Sequence, residues 1–250
     1  MPHEIPIALT MFTVRDDAAA DYLGTVRKVA DMGYQGIQTH FNAVDPTALV
    51  DLADELGVSI CGVHTAFEVL RDEPDKAIAF NLAASCMDVT CSGIPGDYRN
   101  PEGYKDAGRL LAGASDLLAD AGIRLTYHNH DFEFADQGGQ TGHDLLFDAA
   151  GATLECELDV YWLHYGGQDV VRWMMKFANR LPLLHIKDME AGDERFFAEI
   201  GEGVLDWTVI FRAADEAGVE WAIVEQDLCR RPPLESARLS IENLKKMGFA

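Results

Sequence analysis

Eight short apolar runs, each followed by a longer amphipathic stretch, recur along the chain and constrain its fold more than any other feature. The runs are Ile5–Met11, Gln35–Thr39, Val58–Val63, Met87–Cys91, Ile123–Asn129, Thr153–Val160, Leu183–Lys187 and Trp221–Gln226. Between and after them, apolar residues at helical spacing predict helices over Ala18–Met32, Pro46–Leu56, Asp72–Ser85, Pro101–Asp120, Gly142–Ala150, Asp169–Asn179, Asp206–Ala217 and Leu234–Met247. Gly33, Gly57, Gly122 and Gly218 stand where helix stops are expected. Strands alternating with helices imply a parallel sheet, and eight such units imply closure into a (β/α)8 barrel. The 250 residues are typical of one such barrel, with no linker or low-complexity tract, so residues 1–250 read as a single domain. A doubly wound open sheet is the alternative. It would want a glycine-rich phosphate loop after an early strand, and none is present.

In barrels of this kind the reactive groups stand at the C-terminal strand ends. The run Leu125–Phe134, LTYHNHDFEF, ends in histidines, an asparagine, an aspartate and a glutamate. Side chains alternate along a strand, so His128 and His130 share a face, with Glu133 in the following turn. Three later runs also end in metal-ligand residue types: Asp159 in LECELDVYW, His185 in LPLLHIKDM and Glu225 in WAIVEQD. If their faces point inward, these residues converge at the barrel mouth. Inward carboxylates need a cation to offset repulsion and desolvation. Oxygen donors with an imidazole suit a divalent ion, Mn²⁺ ahead of Mg²⁺, Co²⁺ or Zn²⁺.

Each residue also has a plainer reading. His185 alone fits a hydrogen-bonded core histidine, Asp159 a turn cap, and Glu225 half of an ion pair. Those readings weaken together, because all would have to coincide at one barrel end. His130 is the candidate acid or base, since an imidazole titrates near neutrality. Lys187 shares a face with His185 and is read as a contact to a substrate oxygen or as a surface salt bridge. His64, Asn129 and Trp162 are candidate substrate contacts. Phe12–Arg15 is a further candidate at the mouth.

The charge balance of 42 acidic against 20 basic residues argues against nucleic acid or an anionic membrane as partner. Five cysteines without a C-x-x-C pair read as free thiols in a reducing cytoplasm. Neither a signal peptide nor a membrane-spanning run is expected.

The strings YHNHDFEF, ELDVYW, LLHIKDM, GEGVLDW and VEQD resemble the xylose isomerase-like TIM barrel family of sugar isomerases and epimerases. That family also contains inosose dehydratases, dehydroshikimate dehydratases, keto-glycoside lyases and a DNA-repair endonuclease. The resemblance spans essentially the whole chain and implies one divalent metal held by four strand-end ligands. Asp159, His185 and Glu225 match three of them. The fourth is commonly a glutamate at the end of the fifth strand, where this chain has His128. Glu133 is read as reaching back to the metal, with His128 or His130 as alternatives. His128, His130, Lys187 and Glu225 are the candidate catalytic groups. The resemblance implies proton abstraction next to the carbonyl of a keto sugar, giving an isomerase or epimerase. A lyase acting by β-elimination is the alternative. A homodimer is implied by resemblance alone.

Overall fold

Alternation within each apolar run decides which side chains face the barrel lumen and which face the helices. In β5 (Arg124–His128), for example, Leu125 and Tyr127 join the outer core, while Thr126 and His128 turn inward. The computed structural model describes residues 5–250. Its remaining strands are β1 (Ile7–Thr10), β2 (Gly36–His40), β3 (Ser59–Thr65), β4 (Asp88–Cys91), β6 (Glu155–Asp159), β7 (Leu183–Ile186), β8 (Asp188–Met189), β9 (Phe197–Ala198) and β10 (Trp221–Val224). A closed parallel barrel runs β1-β10-β7-β6-β5-β4-β3-β2, and β8 and β9 form a separate antiparallel ribbon. The register sets Glu157 beside Leu183 and Asp159 beside His185, which brings the polar ends of β6 and β7 level.

Helices cover the outside of the barrel. Those at Pro46–Leu56, Pro101–Asp120 and Gly142–Ala150 keep the predicted bounds. The helix predicted over Ala18–Met32 is broken, and the one predicted over Asp72–Ser85 starts at Pro74. Asp21 ends Arg15–Ala20 and caps Tyr22–Met32 through its side chain. Pro74 restarts the chain after Phe67–Asp72, because its ring suits a first helical position and disrupts an interior one. Phe67–Asp72 lies outside the predicted helices, and so does Val160–Tyr165. The latter's sequence, VYWLHY, has strand-favouring residues, but Asp159 caps it through Oδ1, which accepts the Trp162 amide at 2.9 Å.

The lumen is layered. Ala8, Cys61, Leu183, Ile223 and Trp221 close the N-terminal end as a small apolar plug. Below them Arg124 pairs with Asp88 and Glu220. Polar side chains fill the lumen above the plug, so the packed end supplies stability and the other end is left for chemistry. All five cysteines are free, four of them buried. No helix among the described residues is long and apolar enough to cross a membrane.

His143 is packed into an aromatic box in the outer core. It stacks on Phe147 at 4.5 Å and meets Trp173 edge-on at 5.0 Å, and its Nδ1 has no hydrogen-bond partner. Burial, assisted by the Lys176 charge, pushes its pKa down to about 3. Unfolding restores an ordinary pKa of about 6.5, so the unfolded chain binds the extra proton as pH falls below that value. Lowering the pH from 7 to 5 should therefore cost about 2 kcal/mol through this residue alone. His143→Phe should lose that component in urea unfolding at the two pH values, and an unchanged pH dependence would contradict it.

Candidate metal and active site

Glu157 sits at the centre of the polar lumen because alternation along β6 turns it inward, two residues before Asp159. Its Oε1 meets His64 Nε2 at 2.7 Å, His185 Nε2 at 3.0 Å and His128 Nδ1 at 3.2 Å. Its Oε2 accepts from Gln38 Nε2 at 2.6 Å and Thr90 Oγ1 at 2.9 Å. Burial alone would raise its pKa, but the neighbouring His185 and His64 imidazoles outweigh that and hold it ionised. Glu157 is hydrogen-bonded to His64 and stands as a counter-charge behind His128 and His185, while Gln38 Oε1 holds His185 Nε2 at 2.8 Å.

One step nearer the mouth, donor atoms of His128, Asp159, His185 and Glu225 all lie within 4.8 Å of one another. His185 Nδ1 stands 2.7 Å from Glu225 Oε2, and His128 Nε2 stands 3.9 Å from Asp159 Oδ2. A second such group, His64, His128, Glu157 and His185, shares both imidazoles. Glu157 is already saturated by hydrogen bonds, so the Asp159–Glu225 group is the better cation site.

Lys187 is fully buried, with Nζ at 2.9 Å from Asp159, 2.8 Å from Glu225 and 2.8 Å from Asp227. Burial opposes its charge, but those carboxylates hold its pKa well above the ordinary value. His185 is likewise pushed up to about 10: burial works against protonation, and Glu157 and Glu225 overcome it. Glu225 is held low despite burial by Lys187 and His185, whereas Asp159 is raised because its burial prevails. His128 is pushed down to about 3 by burial and the nearby His185 charge, which leaves a neutral imidazole suited to ligation.

The donor set fits a divalent ion on two counts. Glu157, Asp159, Glu225 and Asp227 face Lys187 and His185, and once His185 gives up its proton to serve as a ligand the cluster carries an excess of three negative charges. Asp159 Oδ2, though near Lys187, accepts no hydrogen bond of good geometry. Two imidazoles with two carboxylates are typical of Zn²⁺, Mn²⁺ or Co²⁺ sites.

The candidates drawn from the sequence divide. His64, His128, His130, Asp159, Trp162, His185, Lys187 and Glu225 meet at the mouth. The His128 ring centroid lies 5.3 Å from His64 and 5.1 Å from His130, which in turn lies 5.8 Å from Trp162. Glu133 does not join them. The chain enters a tight turn at Phe132–Phe134, which folds Glu133 back toward the outer face of β5. There it accepts the Tyr127 hydroxyl at 2.7 Å and the His130 amide at 2.8 Å. Burial pushes its pKa up to about 7, and these donors limit the rise. His128 takes the place proposed for it in the donor group. Asn129 is also redirected: its amide accepts the Asp159 N–H and lies 3.4 Å from the Asp159 carbonyl, so it ties β5 to β6. Lys187 is no surface salt bridge, and its ammonium is already surrounded by carboxylates.

The period-two pattern of ECELD puts Glu157 on the same inward face as Asp159 but assigns it no role, and nothing local in the sequence singles out Gln38, Asp227 or Asp188. Glu157→Gln should keep the size and lose the negative charge behind His128 and His185. Metal affinity should fall about 10–100-fold in calorimetric titration, and unchanged affinity would show that Glu157 does not act through those ligands.

The family model of the xylose isomerase-like TIM barrel matches residues 26–247. The chain belongs to that family. An inosose dehydratase from Clostridium beijerinckii is 29% identical over 222 residues, covering 80% of this chain and 68% of the relative. The rhizopine catabolism protein MocC of Rhizobium meliloti is 26% identical over 168 residues, covering 60% of this chain and 51% of that protein. Among solved structures, a sugar phosphate isomerase/epimerase from Parabacteroides distasonis superposes with TM-score 0.86 at 22% identity, covering 98% of this chain and 99% of that one. The IolI protein with a bound zinc superposes with TM-score 0.74 at 13% identity, covering 96% and 97%. At these identities the structures share the fold with this chain.

Proposed function

We propose that this protein is a divalent-metal-dependent enzyme that removes the proton beside the carbonyl of a keto sugar or cyclic polyol ketone. The observation that carries this reading is the convergence of His128, Asp159, His185 and Glu225 at the mouth, with His130 in the adjoining wall. A divalent ion held there would supply Lewis acidity and stabilise negative charge as the adjacent C–H is deprotonated. His130 is the acid–base group. Burial, reinforced by His128 and Lys187, holds its pKa well below the ordinary value, so it stands neutral but is a weaker base than the sequence suggests, and its place beside the donor group is what nominates it. Glu133 positions it by accepting its backbone amide. Trp162 packs beside it and narrows access for water.

The abstracted proton has two destinations. Returned to carbon, it gives an isomer or epimer. Passed to a hydroxyl on the neighbouring carbon, it releases water and leaves an enone. We rank elimination first, reversing the order taken from the sequence. Epimerisation needs acid–base groups on both faces of the ring, and the fifth strand offers His128, which belongs to the metal-donor group, rather than a glutamate. The similarity to inosose dehydratases supports the same order.

The test is incubation of the manganese-loaded protein in D₂O with an inosose and a panel of keto sugars. Elimination predicts an absorbing enone product. Deuterium in recovered sugar without enone would favour isomerisation, and neither outcome across the panel would refute the proposed chemistry.

A further inference from the structure

We infer that His40 is a specificity-determining residue, which binds a substrate hydroxyl remote from the oxygens that the metal would chelate. This rests on the proposed reading of the mouth and goes beyond it by assigning the side that faces the metal donors. Those donors come from β5, β6, β7 and the residue after β10, which are consecutive around the barrel. β2 stands diametrically opposite β6, four strands away in either direction. A polyol chelated through adjacent oxygens on the donor arc therefore extends toward the strand that ends in His40.

Alternation along β2 places the ring. Gln38 turns into the lumen and bonds Glu157 and His185, so His40, two residues on, points the same way and nearer the mouth. Its ring lies 5.6 Å from that of His64, which in turn stacks on His185 at 5.3 Å. One hydroxylated ring with its substituents can bridge that gap from the donor group.

The polar groups around His40 are already engaged. His64 is bonded to Glu157 at 2.7 Å, and His185 to Glu225 and Gln38. His40 also lines a cavity of about 530 Å³ beside the loop that follows β1. There Arg15 donates to the carbonyls of Phe12 and Asp227, and the Tyr22 hydroxyl is paired with Thr39. The His40 side chain has no hydrogen-bond partner among the described residues, and neither ring nitrogen is sealed from solvent. Burial of the ring, reinforced by His64, pushes its pKa down to about 4, which leaves one nitrogen a donor and the other an acceptor. A hydroxyl can meet either one.

The experiment compares myo-inositol with 1,2-cyclohexanediol by calorimetry on the zinc-loaded protein. Both offer an adjacent pair of oxygens, and only inositol carries remote hydroxyls. Neither has a carbonyl, so neither turns over. Wild type should bind inositol more tightly by about tenfold or more. His40→Phe keeps an aromatic ring against Phe12 and should cut that preference about tenfold, the effect of one lost hydrogen bond. His40→Gln keeps a donor and an acceptor and should retain much of it, and both variants should melt with wild type. Equal binding of the two polyols by wild type, binding of neither, or a preference that His40→Phe leaves intact would overturn the assignment. Equal loss in both variants would mark a packing role and overturn it as well. The two readings fail separately. Keto-sugar turnover with a preference indifferent to His40 removes only this assignment, whereas a His40-dependent preference with no carbonyl chemistry removes only the reaction.

Discussion

Lys187→Met is expected to destabilise the protein by about 3–5 kcal/mol in EDTA, a cost typical of removing one partner from a buried ion cluster. The ammonium lies within 2.9 Å of Asp159 and 2.8 Å of both Glu225 and Asp227, with no exposed surface of its own. Methionine keeps the unbranched apolar stem, one atom shorter, and leaves those carboxylates facing one another in a low-dielectric interior. The deficit should shrink as pH falls, because protonating Asp159, whose pKa burial already raises, relieves the repulsion. Excess Mn²⁺ should also restore part of the stability, since an ion that binds only the folded state stabilises by mass action. Urea unfolding with EDTA and with manganese measures both effects. A variant as stable as wild type in EDTA would show that Lys187 does not neutralise this cluster.

Asp188→Ala should cost about 4 kcal/mol or more, among the larger losses a single substitution produces. Asp188 accepts from the amides of Met189, Gly201, Gly203 and Leu205 and from the Trp207 indole. Leaving buried donors unpaired costs about 1–3 kcal/mol each, and some will recover a water. This carboxylate fastens the GEGVLDW segment against the end of β7, directly beside Lys187 and His185. Gly203 is required by the same closeness, because any Cβ there would overlap Asp188 and the Met189 carbonyl. Asp188→Asn keeps one carbonyl acceptor and should lose roughly half as much. The Trp207 near-ultraviolet signal and amide exchange at residues 201–205 report the release directly. An alanine variant within about 1 kcal/mol of wild type would contradict the account.

The architecture was legible because apolar alternation and helix punctuation are local signals. Three helices keep their bounds, and the split at Asp21 and the start at Pro74 follow from capping and proline chemistry already in the sequence. The helix after Asp159 was not legible, since VYWLHY favours a strand and only the cap overrides it. In the candidate site, residues at strand ends could be named because position along a barrel strand fixes depth. Glu133 misled because a carboxylate in a turn can swing to either side, and the Tyr127 hydroxyl on the outer face captured it. Lys187 was found, but its threefold carboxylate partnership depends on Asp227, which belongs to another strand's loop. Asp188 was invisible for the same reason, as its donors come from a segment 13 to 19 residues away.

Metal stoichiometry is the most direct check on the central claim. Purified wild type, Asp159→Asn, Glu225→Gln and His128→Ala should be stripped with EDTA, titrated with Mn²⁺ or Zn²⁺, and analysed by elemental mass spectrometry. Wild type should bind one ion per chain, and each variant should lose occupancy while keeping its far-ultraviolet spectrum. Full occupancy in all three variants, or no divalent ion bound by wild type, would contradict the site.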